Sequence, residues 1–345
     1  MKVRYGKALN SFTMKKGMDK RISISLMKQF PAFCKERQSH NSTCPICGSL
    51  ETQVMAEIYG FTYRECGSCQ MAFIADMPNE DDLEKVYRSD LYAEHTQKLY
   101  GSPDVVEYRL HTVAEPKLEH IAERLTTTKK SWLDIGCGTG EILKAAVDRG
   151  FKARGLEANE FERKFGIENY GVEIIDEYIN DTTIKNYQDG YGVISMFGVL
   201  EHILDPHSII GNIAQIQSPG DNLVIEVPHH PSISAFSQMS FVDDIDRMMI
   251  PPFHLYLYST RGIQILLEKY GYEVTDAWYF GQDFYEMFTT LGLHVDGLLD
   301  SALAEKFSSI LNDLQYAIDK NEMSDQIMVI ARRKDSNETT ANGHP

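Results

Sequence analysis

Nowhere in the 345 residues does an apolar run approach the roughly 20 residues that a membrane-spanning helix needs, so no membrane partner is expected. Positive charge is also scarce. There are 34 Lys and Arg against 50 Asp and Glu, giving a formal net charge of −16 and a pI of about 5.1. That balance argues against bulk binding to a phosphate backbone, and nucleic acid is not an expected partner. Cysteine is limited to Cys34, Cys44, Cys47, Cys66, Cys69 and Cys137. The N-terminus lacks the continuous apolar core of a secretory signal, so a reducing, cytoplasmic compartment is expected. There, paired Cys-x-x-Cys motifs point to metal rather than to disulfides. Internal repeats are absent as well.

What is present is unevenly spread. The apolar share, 43%, is that of a globular protein. Residues 1–40 carry ten Lys and Arg against Asp19 and Glu36, about +8, which leaves about −24 for the rest. This stretch is expected to be a loosely ordered basic arm, with an interaction segment or an organelle-targeting peptide as alternatives. Residues 334–345 are polar and are expected to form a disordered tail.

Cys44-Pro-Ile-Cys47 and Cys66-Gly-Ser-Cys69 are two knuckles 18 residues apart. Two thiolates on each tight turn complete a tetrahedron around Zn²⁺, so 41–76 is predicted to be a zinc ribbon. Four cysteines leave no open position, which makes the expected metal structural. An acidic start after Pro78 and the amphipathic run Val105–Arg124 make 77–125 a set of linker helices, with Pro116 a kink or a break.

The chain is organised around Trp132-Leu-Asp-Ile-Gly-Cys-Gly-Thr-Gly140. A buried strand, glycines at 136, 138 and 140, and a helix from Glu141 make a floor on which a ligand can approach backbone N–H groups. Lys152–Ala158 is predicted to be a second strand ending near Glu157, about 20 residues past the glycines, where a carboxylate can bind a ribose diol. Gly192–Phe197 is a further strand running into Val199-Leu-Glu-His202. Strand and helix then alternate through Asn222–Pro228, a capped helix at Ser259–Gly271, Tyr272–Phe280 and Gln326–Arg332. That alternation over 126–333 requires a mostly parallel α/β sheet covered on both faces. A helical insert at 286–322 is a candidate lid or homodimer face, or simply packs on the sheet.

In the order and spacing of these motifs, the chain resembles the class I S-adenosylmethionine-dependent methyltransferases whose fourth strand ends in a Val-Leu-Glu-His loop. With the cysteine knuckles, the acidic helix and the tyrosines that follow, it resembles those with an N-terminal zinc ribbon, a group that includes sugar and natural-product methyltransferases. The resemblance implies a Rossmann-like, seven-stranded sheet with its last strand antiparallel. It also implies S-adenosylmethionine held by Asp134, Gly136, Cys137, Gly138, Gly140 and Glu157, with Phe197 beside it.

Histidines at the carboxyl ends of the strands are the candidate bases, because their unperturbed pKa suits neutral pH. They are His202 after the fourth strand, His229 (beside His230) after the fifth, and His254. Extended neighbours alternate faces, so only one of His229 and His230 can enter a pocket. His254 lies where zinc-ribbon sugar C-methyltransferases carry Tyr-x-Glu-His, but Pro251 and Phe253 replace the tyrosine and the glutamate. That departure favours O-methylation of a small polar acceptor, a sugar or natural-product intermediate. The alternatives are C-methylation of a nucleotide-linked keto-sugar, an RNA or protein methyltransferase docking through the ribbon, and a zinc-dependent binding module on a silent fold. A Mg²⁺ site at Asp205, Asp243, Asp244 and Asp246 with a histidine is a further candidate.

Overall fold

A computed structural model describes residues 1–6, 19–37, 41–100, 102–180, 182–187 and 190–335. Its strands are β1 (Lys2–Tyr5), β2 (Thr52–Ile58), β3 (Phe61–Cys66), β4 (Ala72–Ile74), β5 (Ser131–Ile135), β6 (Lys152–Glu157), β7 (Glu173–Asp176), β8 (Val193–Phe197), β9 (Asn222–Pro228), β10 (Tyr256–Leu257), β11 (Tyr272–Phe280) and β12 (Gln326–Arg333). The main sheet has the order β1-β11-β12-β9-β8-β5-β6-β7. Its pairs are parallel except β11 with β12 and β12 with β9, so the last strand is antiparallel as expected. Leu223, Val224, Ile225 and Val227 of β9 are all fully buried, as a strand covered on both faces requires. The order reverses between β5 and β8, and that switch point opens the ligand crevice.

The sheet has eight strands rather than the expected seven. The additional one is β1, which pairs parallel to β11 with Lys2 opposite Asp276 and Tyr5 opposite Tyr279. The expectation of a loose arm over 1–40 therefore fails for its described residues. The helix Lys20–Met27, capped by Asp19, buries Ile24, Leu26 and Met27, and Phe30 follows, fully buried. Lys20 Nζ lies 2.7 Å from Asp246 and 2.8 Å from Glu286. The charge count missed this because the apolar residues are interleaved with the cations. Lys7, Lys15, Lys16 and the expected disordered tail beyond Asp335 lie outside the described residues.

The 41–76 unit folds as β2, β3 and β4 around the cysteine knuckles, but it does not stand alone. Strand β10 completes its sheet, pairing antiparallel to β4 with Tyr256 opposite Phe73. Phe61, Tyr63, Met71 and Phe73 share one apolar core with Leu255, Tyr258, Ile263 and Leu266. Ser259, which caps the helix Thr260–Lys269, also donates its hydroxyl to the Cys69 carbonyl. Cys44 Sγ and Cys69 Sγ are 3.6 Å apart, as are Cys47 Sγ and Cys66 Sγ. Sulfurs about 2.3 Å from a tetrahedral zinc lie about 3.8 Å from one another, so the quartet fits Zn²⁺.

In the linker, the helical run continues through Pro116 without a break. A π-helical turn, Leu110–Ala114, joins the helices Pro103–Arg109 and Glu115–Ala122, and Pro116 sits in the first turn of the second, where it removes no needed donor. The insert forms two helices, Asp283–His294 and Ala302–Asp319, which pack on β11 and on the helix Ile233–Ser240. Among the described residues no helix is long and apolar enough to cross a membrane.

Because β10 belongs to both units, loss of a knuckle thiolate should reach the whole domain. Cys66→Ser is expected to lower one cooperative thermal transition by roughly 10 °C or more. Two resolved transitions by scanning calorimetry, with the larger one unmoved, would instead make the cysteine unit autonomous.

Candidate functional site

Strand β5 ends at Ile135 and the chain turns through three glycines at positive φ: Gly136 (64°), Gly138 (53°) and Gly140 (84°). Two of these are fixed by close packing. A Cβ on Gly136 would lie 2.5 Å from Val199 Cγ2, and one on Gly140 would lie 3.2 Å from Val172 Cγ2. At Gly138 a Cβ would meet no protein atom within 4 Å, so the space above the loop is open. Cys137 donates its backbone N–H to the Leu156 carbonyl (3.1 Å), and its sulfur fills the room over Gly155 that a side chain there would need. Burial pushes its thiol well up, so it is an inert packing group.

Glu157 closes the floor. One carboxylate oxygen accepts the Gly138 N–H at 3.0 Å and the other accepts the Asn159 N–H at 2.8 Å. Each oxygen keeps acceptor capacity for a hydroxyl of a bound diol. Burial raises the Glu157 pKa against those two bonds. Asp134 is also buried. It accepts from Ser195 Oγ at 2.6 Å, and Ser195 in turn accepts from Trp132 Nε1 at 2.7 Å. Burial pushes Asp134 up to about 7.

A cavity of about 570 Å³ lies over this floor, and Asp134, Gly136, Cys137, Gly138, Glu157 and Phe197 all line it. Gly140 lies behind it and starts the helix Glu141–Asp148. The cavity continues to Glu201, His202 and His254. The two imidazoles are 5.0 Å apart, and each is oriented by a backbone carbonyl: His202 Nδ1 is 2.7 Å from Phe253 O, and His254 Nδ1 is 2.5 Å from Met248 O. Each Nε2 lies 3.9 Å from the same Glu201 oxygen. Burial holds His202 down to about 4 and His254 well below its usual value, and it pushes Glu201 up to about 8.

His229 is not part of this group. It is buried elsewhere, bonded through Nδ1 to Ser324 O at 2.9 Å, and its neighbour His230 contacts Glu65 of β3 at 3.0 Å. Their chain segment pairs with Tyr258 and Asp325, which turns both rings away from the cavity. The aspartate site also fails. Asp205 caps the helix Pro206–Ile216, Asp244 meets His294 and Asp246 meets Lys20. Sequence reasoning missed Glu201 as a site residue, although its place beside His202 was a signal. It also missed the Arg109–Glu141 pair (2.9 Å) and the Lys117–Glu226 pair (2.6 Å), whose members line the cavity from elements far apart in sequence.

Residues 106–277 match the family described as "Methyltransferase domain". The chain is 29% identical over 121 residues to the ubiquinone biosynthesis O-methyltransferase of Saccharophagus degradans, which covers 33% of this chain and 50% of that one. It is 31% identical over 122 residues to the protein of the same name from Hahella chejuensis, again covering 33% and 50%. The chain thus spans about half the length of these curated relatives. A solved SAM dependent methyltransferase from Archaeoglobus fulgidus aligns with a TM-score of 0.46 and 20% identity, over 70% of this chain and 100% of that one.

The buried carboxyls set a pH dependence. Asp134 in the folded protein sits at about 7 and Asp283 at about 8, both raised from 3.8 chiefly by burial. Through these two groups the folded chain binds more protons than the unfolded one between about pH 4 and 8, and their contribution to stability falls as pH rises. The buried His202 and His229, held down to about 4, act in the opposite sense below about pH 6.5. Melting temperature is expected to drop from about pH 6.5 to about pH 8, and Asp134→Asn to flatten the drop. A slope identical in the two proteins would contradict this assignment. Sheet order, glycine floor and sequence match agree, and residues 106–277 form a class I methyltransferase domain of the kind that uses S-adenosylmethionine.

Proposed function

We propose that this protein transfers a methyl group from S-adenosylmethionine to a hydroxyl of a small polar acceptor, a sugar or natural-product intermediate. The observation that carries the reading is the continuity of one cavity from Gly138 and Glu157 to Glu201, His202 and His254. The name shared by the bacterial relatives, O-methyltransferase, supports oxygen as the atom methylated.

S-adenosylmethionine, when bound, supplies an electrophilic methyl group on a sulfonium. The open face of Gly138 and the N–H groups of the loop would cradle its amino-acid part, with Asp134 beneath. Glu157 would accept from the ribose hydroxyls, and Phe197 would lie beside them. Beyond that, Tyr87, Tyr92 and Phe253 wall the cavity with aromatic surface, which excludes water from the reacting centre. The Glu201, His202 and His254 group faces the acceptor end, where the hydroxyl is aligned and must lose its proton. Zn²⁺ on Cys44, Cys47, Cys66 and Cys69 would be structural, since four thiolates close its coordination shell.

The rival readings are weaker. For C-methylation, the acid expected beside His254 is Phe253, which packs edge-on to Phe30 at 4.6 Å. For RNA or protein docking through a basic arm, four of the seven described cations of the arm are engaged within the chain. Arg4 lies over Trp278, Lys20 meets two carboxylates, Lys28 lies over Tyr59 and Arg37 pairs with Asp76.

Calorimetry with S-adenosylhomocysteine is expected to give one site per chain, weakened about 10-fold or more in Glu157→Ala through loss of the charged acceptor. Mass spectrometry of a hydroxylated acceptor panel should then give products heavier by one methylene. A flat titration of folded, zinc-loaded protein would remove the proposal.

A further inference from the structure

The acceptor end of the cavity has an unbalanced set of polar atoms. His202 and His254 each turn Nδ1 to a backbone carbonyl, at 2.7 and 2.5 Å. A carbonyl only accepts, so each Nδ1 carries the proton and each Nε2 of the neutral ring presents a lone pair. Both Nε2 atoms lie 3.9 Å from Glu201 Oε1, too far for a hydrogen bond. The other Glu201 oxygen, Oε2, is buried and has no hydrogen-bond partner. One ligand atom from each of Glu201, His202 and His254 falls within 4.8 Å of the others. With Glu201 ionised, as a metal ligand must be, three acceptors converge with no donor among them. One water has two protons and cannot satisfy all three, whereas a single cation can.

We propose that Glu201, His202 and His254 form a divalent-cation site, distinct from the cysteine quartet, that binds the oxygens of the acceptor. Two imidazoles and one carboxylate are a borderline ligand set suited to Zn²⁺, Mn²⁺ or Fe²⁺. Ligand atoms about 2.1 Å from such an ion lie about 3.0–3.4 Å apart, so closing the site takes less than an ångström from each side chain. The Nδ1–H to carbonyl bonds are the outer support that metal-bound histidines have. Three protein ligands leave coordination positions free, and these face the same cavity as the glycine floor.

The acceptor class follows: a small molecule presenting a hydroxyl beside a second oxygen, such as another hydroxyl, a carbonyl or a carboxylate. The cation would lower the pKa of the bound hydroxyl, which loses its proton to solvent water. Its oxygen then bonds to the methyl carbon as the carbon–sulfur bond breaks and the electron pair stays on sulfur. This acceptor step rests on the methyltransferase reading; the cation site does not. It assigns the two histidines as ligands rather than as bases.

The test uses full-length, zinc-loaded protein and Mn²⁺ alone, which thiolates do not favour, followed by electron paramagnetic resonance. The expected result is one saturable Mn²⁺ site per chain, weakened roughly 100-fold or more in Glu201→Gln and in His254→Ala, beyond what loss of an outer-shell partner costs. Zinc content, thermal transition and S-adenosylhomocysteine affinity in Glu201→Gln should stay near wild type. Should either variant fail to fold, His202→Asn replaces it. Absence of saturable Mn²⁺ binding in folded protein, or binding unchanged in the variants, overturns the site. S-adenosylhomocysteine binding without Mn²⁺ binding would leave methyl transfer standing and remove the cation, and the opposite pattern would do the reverse.

Discussion

One backbone hydrogen bond, from Leu255 N–H to the Glu201 carbonyl at 2.9 Å, joins the two loops that make the acceptor end of the cavity. Around it, Tyr258 OH donates to Leu200 O at 3.2 Å, Tyr256 OH to Leu204 O at 2.8 Å, and Tyr63 OH to His254 O at 2.7 Å. These donors belong to β10, its flanks and β3. The loop that bears His254 is therefore gripped by the small antiparallel sheet on one side and by the end of β8 on the other. Buried tyrosine hydroxyls must find partners, and here the partners are carbonyls of the two irregular loops. The cysteine unit thus positions a histidine that it does not contain.

The N-terminal segment acts from the opposite side. Phe30 packs against Phe253 and Tyr92, so the aromatic residue that replaces an expected acid beside His254 has a use: it anchors the segment over the cavity. Lys20, between Asp246 and Glu286, ties that segment to the loop before His254 and to the insert. Burial of this ammonium costs less than it otherwise would because two carboxylates face it. Cofactor floor, acceptor end and roof therefore come from widely separated parts of the chain.

Much of this was legible beforehand. The cysteine spacing anticipated the cluster of four thiols, and the glycines at 136, 138 and 140 anticipated the turn, because positive φ and close approach leave few other residues possible. Glu157 followed from its distance past them. The acceptor end was only half legible. His202 was found because it follows a strand and His254 because of where it stands in the family resemblance, but Glu201 looked like part of a loop. Nothing local says that a carboxylate will be buried facing two imidazoles 3.9 Å away. His229 satisfied the same positional rule and was misassigned, since its orientation is set by long-range pairing with Ser324. Strand β10 has two residues and no periodicity to detect, and the arm's burial depends on partners more than 200 residues away.

The pairing of β1 with β11 has a consequence for solubility. Without it, the nine residues Tyr272–Phe280 would offer a row of unsatisfied N–H and C=O groups along an open border, a template for pairing with a second molecule. As folded, the sheet is bounded on both flanks by strands of only four residues, Lys2–Tyr5 and Glu173–Asp176, each carrying two charges. Short, charged borders of that kind discourage sheet-to-sheet adhesion, so the first few residues guard the protein against its own aggregation.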